Sequence, residues 1–256
     1  MSIRTERKME ESQNLKFNAV VLDMDGVITK TATIHAKAWK QMFDGFLKEK
    51  QGENFRPLDI TKDYHEFIDG KPRKDGIRSF LQSRKIELPE GDPDDEPQKN
   101  TVNGLAKRKN KIFLDTIKKD GVEVFEDTAE MLEIWKKEGK KLAVISSSRN
   151  CEYIIESAGL TTMFKIRVDG IVSEEESLKG KPAPDIFLNA TEKLGAKKES
   201  TIVIEDAISG VQAGKKGQFA LVVGVDRNEK SESLKKAGAD IVVKKLTELK
   251  NIANGK

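Results

Sequence analysis

Cysteine is nearly missing from this 256-residue chain. The lone Cys151 permits no intrachain disulfide, so stability has to come from a buried core, and a reducing, cytoplasmic setting is expected. At a helix start, such a cysteine ordinarily serves as a small packing residue. No apolar run approaches the ~20 residues that a membrane span requires. The N-terminal stretch MSIRTERKMEESQN is charged and lacks the apolar segment of a secretory signal, so residues 1–15 are expected to form a solvated tail. An excess of either charge sign is missing too. The 46 basic and 43 acidic residues are interspersed and leave a net charge of only +3. No basic stripe interleaved with aromatics occurs, which excludes nucleic acid as the natural partner. Internal repeats are absent, and a monomer acting on a small molecule is expected.

What is present is a set of short β-branched apolar runs, at residues 17–24, 141–147, 201–206, 221–226 and 241–243, with a weaker one at 166–168. None of the five stronger runs alternates with polar residues, as expected for strands covered on both faces. Helical patterns separate them. Thr128, Met131, Leu132 and Trp135 share one face, with Gly139 as a stop, and residues 184–194 and 207–213 make two more. Strand–helix alternation of this kind predicts an α/β fold with a Rossmann-like, doubly wound and mostly parallel sheet.

The stretch from 33 to 116 breaks that rhythm. Ile34, Ala38 and Met42 are spaced for one helix face, Ile77, Phe80 and Leu81 for another, and Leu105, Ile112 and Phe113 for a third. With no convincing strand, it is too long for an ordinary connection and reads as an inserted helical cap domain. The core is then 16–32 with 117–256. Inside the insertion, residues 87–100 (ELPEGDPDDEPQKN) have the composition of a solvated connection, and their spacing matches no calcium loop.

In open α/β sheets ligands gather beyond the C-terminal ends of the strands. The first strand ends in Asp23-Met24-Asp25-Gly26, the next in Ser146-Ser147-Ser148, a later one in Glu205-Asp206, and Lys181 lies between the last two. Singly these are a turn, a cap, a boundary and another cap. Together, in this order, they form a chemical set. Asp23 and Asp206 offer hard oxygens suited to Mg²⁺. Asp23 can attack phosphorus to form an acyl phosphate, and Asp25 can serve as general acid and base. Ser146 and Lys181 can hold the transferring phosphoryl oxygens, since such transfer depends on positioning and charge neutralisation. Glu205 either touches the metal through water or orients its neighbours.

Residues 17–27, 144–147, 181–185 and 203–210 resemble the four motifs of the haloacid-dehalogenase-like phosphotransferases, whose phosphotransferase members carry the second aspartate, here Asp25. The resemblance implies a Rossmann-like core with a helical cap that closes over the site, and a metal set drawn from Asp23, Asp25, Glu205 and Asp206. Within that superfamily the run 23–29 followed by Thr31, His35 and Trp39 is similar to the β-phosphoglucomutase family, as are 107–110, 146–150 and 181–187. Gly70-Lys71-Pro72-Arg73 looks like that family's cap loop. The likeness implies that Arg73, with Ser147, Ser148, Arg149 and Asn150, grips the phosphate that is not transferred. It implies substrate contacts for Thr31, Gly70 and Lys71, and an ordering role for His35 and Lys109. The family converts β-glucose 1-phosphate to glucose 6-phosphate, with glucose 1,6-bisphosphate as intermediate. Lys30 replaces a commonly acidic residue, Lys71 and Pro72 depart from the usual pair, and the 87–100 loop is long. These departures bear on which sugar is bound, not on the phospho-aspartate chemistry. A sugar-phosphate phosphatase using the same Asp23 is the alternative. A binding protein without catalysis is disfavoured, because binding alone needs no acid–base partner.

Overall fold

The computed structural model describes residues 17–227 and 229–250. Along the chain run β1 (Ala19–Asp23), α1 (Thr31–Gln51), α2 (Asp63–Phe67), α3 (Arg73–Ser83), α4 (Val102–Asp120) and α5 (Glu126–Lys137). There follow β2 (Lys141–Ile145), α6 (Cys151–Ser157), β3 (Ile166–Val168), α7 (Gly170–Glu175) and α8 (Asp185–Lys193). The chain continues through β4 (Thr201–Glu205), α9 (Ile208–Gly217), β5 (Leu221–Val225), α10 (Ser231–Ala237) and β6 (Ile241–Val243). The expected tail, 1–15, lies outside the described residues. No helix among the described residues is long and apolar enough to cross a membrane.

The strands form one parallel sheet in the order β3-β2-β1-β4-β5-β6, the doubly wound α/β architecture that the apolar runs predict. Every residue of β1, β4 and β5 is buried, which explains why those runs do not alternate. Burying each Val, Leu or Ile stabilises the sheet by roughly 1.5–3 kcal/mol. On one face, Ile186 and Phe187 of α8 and Val211 and Ala213 of α9 pack with Val21, Ala143 and Val203 of the strands. Parallel register sets the function. Asp23 pairs with Ile145 and Leu22 with Ile204, so the residues that follow β1, β2 and β4 emerge at one edge.

The chain divides into two compact units, one spanning 31–122 and the other containing the sheet. The inserted unit is longer at each end than its apolar periodicity suggests, because α1 starts at Thr31 and α4 runs to Asp120, where Gly121 (φ 78°) stops it. Its core packs Trp39, Met42, Phe43 and Phe46 of α1 against Ile77, Phe80 and Leu81 of α3 and Leu105 of α4. Of the expected face of α1, Ala38 and Met42 are buried and Ile34 is only half-buried; Ala36, Trp39 and Phe43 are buried as well.

Residues 87–100 are mostly exposed, as their composition suggests, but the connection is built around one buried side chain. Asp95 is buried, accepting from Thr101 Oγ1 at 2.7 Å, Lys99 Nζ at 2.8 Å and Asp92 N at 3.1 Å. A side chain at Gly91 would overlap that carboxylate, and one at Gly104 would strike Lys99 O. Arg108 ties the far side of the loop through Pro97 O (2.7 Å) and Gln98 O (3.0 Å). Asp92 also serves the loop itself, accepting from Asp94 N at 2.8 Å, and Glu90 is held by Arg78 at 2.6 Å. Low hydropathy concealed a loop organised around one buried carboxylate.

Candidate active site

At the end of β1 the backbone turns at once. Ile28 N and Thr29 N both donate to Met24 O, at 2.9 and 3.0 Å, and Gly26 N donates to Thr29 O at 2.8 Å. Gly26 takes φ +88°, and a Cβ there would overlap the Asp206 carboxylate. Glycine is therefore required twice, by the backbone angle and by the approach of the acid. The turn leaves Asp23 buried and Asp25 half-buried. The Asp25 carboxylate accepts from Ser146 Oγ at 3.3 Å.

Ser146 follows β2 and is buried. Its N donates to Val168 O at 3.1 Å, while its Oγ accepts from Ser148 N at 3.0 Å. Ser148 Oγ in turn accepts from Asn150 N at 3.2 Å, so 146–150 is a tight hydrogen-bonded turn leading into α6. Ser147, Ser148 and Asn150 are half-buried in it. Arg149 is exposed and paired with Glu174 of α7, a surface ion pair of little energetic weight.

Lys181 reaches the same edge from the segment before α8, where its peptide bond to Pro182 is cis. Its buried ammonium donates to Asp23 Oδ1 at 2.5 Å and to Glu205 Oε1. Burial disfavours the lysine charge, yet the Asp23 and Glu205 carboxylates outweigh that cost and raise its pKa above the ordinary value. Glu205 is fully buried, and its other oxygen accepts from Ala207 N at 2.8 Å. Burial pushes the Asp23 carboxyl well above the usual carboxylate range; Glu205 and Asp25 push it further and Lys181 opposes them.

Ligand oxygens of Asp23, Glu205 and Asp206 all lie within 4.8 Å of one another. Lys181 pairs with Asp23 and Glu205, so three buried carboxylates gather beside one ammonium; a divalent cation would offset their charge, and hard oxygens are what Mg²⁺ takes. The donor set therefore fits a hard cation. The Asp25 carboxylate lies with Ser146 rather than in this cluster. Glu205 is bound by Lys181 and Ala207 N, an orienting arrangement.

The inserted unit carries its own ordered set. Thr31 is buried at the start of α1. His35 stacks on Phe113 at 4.0 Å, with Nδ1 2.5 Å from Lys109 Nζ. The buried Lys109 ammonium lies 5.3 Å from the Trp39 ring centre and 4.7 Å from that of Phe113. Gly70 takes φ +74°, turning the chain into α3, which opens at Arg73. Arg73 Nη2 donates to Asn110 Oδ1 at 2.8 Å. Lys71 Nζ donates to Ser79 Oγ at 2.9 Å, and partial burial lowers its pKa against the pull of Asp75 and Glu66. Phe113 lies on the face of α4 that carries Lys109, four residues away, a spacing that links the two from the sequence alone.

The sequence pattern of the haloacid dehalogenase-like hydrolase family matches residues 17–218. The chain belongs to that family. It shares 46% identity over 240 residues with a β-phosphoglucomutase of Mycobacterium bovis, covering 91% of this chain and 92% of the relative. A Bacillus subtilis β-phosphoglucomutase is 30% identical over 233 residues, covering 90% and 91% of the two chains. Among solved structures, a β-phosphoglucomutase from Clostridium difficile superposes with a TM-score of 0.73 at 25% identity, covering 91% of this chain and 93% of that one. This haloacid dehalogenase-like protein is therefore an enzyme of the phosphotransferase and isomerase kind. The family match includes Asp23, Asp25, Ser146, Lys181, Glu205 and Asp206 within its span.

Proposed function

We propose that this enzyme is a β-phosphoglucomutase that converts β-glucose 1-phosphate to glucose 6-phosphate through a phospho-aspartate at Asp23. The observation that carries the reading is the gathering of Asp23, Glu205 and Asp206 on one spot, with Lys181 on Asp23 and Ser146 on Asp25. Similarity to two β-phosphoglucomutases over nine-tenths of the chain supports the substrate.

In the first half-reaction, the sugar's 6-hydroxyl attacks the phosphoryl group on Asp23. The acyl-phosphate P–O bond breaks as the new one forms, and Asp25 takes the hydroxyl proton. The product is glucose 1,6-bisphosphate, which also primes the enzyme. In the second, Asp23 attacks the phosphorus at C1, and Asp25 returns the proton to the departing sugar oxygen. Lys181, fixed between Asp23 and Glu205, holds the attacking carboxylate in one orientation and supplies positive charge to the transferring group. Ser146 orients Asp25. Mg²⁺, held by Asp23 and Asp206 with Glu205 behind them, would offset the repulsion between carboxylate and phosphate. For the phosphate that stays behind we assign Arg73, whose planar fork suits it, with Ser147, Ser148, Arg149 and Asn150. Thr31, His35, Gly70, Lys71 and Lys109 complete the proposed substrate set, and we infer a cytoplasmic monomer.

The test is to offer β-glucose 1-phosphate with Mg²⁺ and a trace of glucose 1,6-bisphosphate. Glucose 6-phosphate without matching inorganic phosphate is expected. Stoichiometric inorganic phosphate would instead make the enzyme a phosphatase using the same aspartate. The Asp25→Asn variant keeps the shape of the side chain and its contact with Ser146 but cannot take or return the proton. Its kcat is expected to fall about 10²-fold or more, as for loss of a general acid–base group. Steady-state rates decide it, and a wild-type rate would remove Asp25 from the proton's path.

A further inference from the structure

Gly210, the third residue of α9, is buried where the helix passes over the end of β4. A Cβ built there would lie 2.6 Å from Glu205 Cγ and would overlap Glu205 Cδ and Oε1. Glycine is a poor helix former, and nothing in the backbone of α9 calls for one at this position. The side chain that occupies the space is the one that bridges Lys181 and Ala207 N. Glu205 could relieve a clash only by turning away, and turning breaks both bonds inside a fully buried setting. Lys181 would then keep Asp23 as a partner but lose the second anchor that fixes its direction.

We propose that Gly210 is a positioning residue for phosphoryl transfer. Its missing side chain seats the Glu205 carboxylate, Glu205 fixes Lys181, and Lys181 aims Asp23. The role in catalysis rests on the proposed phospho-aspartate chemistry, whereas the steric relay does not.

Four proteins test it: wild type, Gly210→Ala, Glu205→Ala and the double variant, each followed by thermal melting and by phosphoryl transfer from β-glucose 1-phosphate. In the wild-type background Gly210→Ala is expected to lower the melting midpoint by several degrees. It should also lower kcat about tenfold or more, with KM moving less than about threefold, because aim and not binding is lost. In the Glu205→Ala background the sign reverses. The space is then open, the better helix former raises the midpoint, and kcat falls no further. A downward melting shift in both backgrounds, or a Gly210→Ala kcat within about twofold of wild type, overturns the proposal. If Gly210→Ala does not fold, the comparison of Glu205→Ala with the double variant decides: a less stable double variant overturns the relay, a more stable one supports it. If Glu205→Ala does not fold, the wild-type background decides through kcat: a tenfold or larger fall in Gly210→Ala supports the relay and a value within about twofold of wild type overturns it. Should wild type fail to transfer phosphate at all, the proposed function fails while the melting comparison still judges the relay.

Discussion

Asp23→Asn is expected to fold normally and to lose turnover by on the order of 10⁴-fold or more, the scale of removing a nucleophile that nothing else replaces. The substitution keeps the shape of the side chain and removes its negative charge. A carboxamide does not form the acyl phosphate, so both half-reactions stop at the same atom. Folding should survive because Lys181 retains Glu205 as a buried partner. The sign of the stability change follows from the native pKa. Burial raises the Asp23 carboxyl above the unfolded value, so its ionised form opposes folding, and that cost grows as pH rises through the native pKa. A neutral amide removes it, and at neutral pH the variant should melt no lower than wild type. Mass spectrometry of the peptide carrying position 23 after exposure to glucose 1,6-bisphosphate reads the chemistry directly. A phosphoryl group is expected on wild type only, and full turnover by the variant would end the mechanism.

The physical reason this site could be read from the sequence lies in the sheet. Parallel strands in register finish together, so residues that follow apolar runs are brought to one edge even when far apart in the chain. Asp23, Ser146 and Glu205-Asp206 needed only the strands to be recognised. Lys181 sits on an irregular segment, and its place beside Asp23 follows from no periodicity; only its order in the motif series pointed to it. What stayed hidden depends on contacts made in three dimensions. Gly210 resembles any helix glycine until Glu205 is seen beneath it. Asp95 is one of several acids in a polar stretch, and its burial comes from Gly91, Lys99 and Thr101 folding around it. On α1, the spacing of Ile34, Ala38 and Met42 fits a helix, and Ala38 and Met42 are buried, but the larger Trp39 and Phe43 widen the buried face while Ile34 stays at its margin. Periodicity identifies elements; volume and polar pairing choose their faces.

The second large effect is expected at Lys181, where stability and rate should separate. Lys181→Ala leaves Asp23 and Glu205 facing one another without their shared cation, both nearly devoid of solvent. Removing one partner from a buried ionic group costs about 3–5 kcal/mol, because the charges left behind are neither hydrated nor paired. That is a large share of the 5–15 kcal/mol typical of a folded domain. The rate should fall as well, by roughly 10²–10³-fold, as when a preorganised donor to a charged transition state is lost. Adding Glu205→Gln to Lys181→Ala removes one of the two stranded charges. Stability should then recover in part, while the rate stays low because the amide supplies no cation. Chemical denaturation and steady-state kinetics on the same three proteins measure both quantities. Should Lys181→Ala unfold at the wild-type midpoint, the carboxylates are not held together by this lysine. Should the double variant regain the rate with the stability, Lys181 is part of the scaffold and takes no part in the transfer.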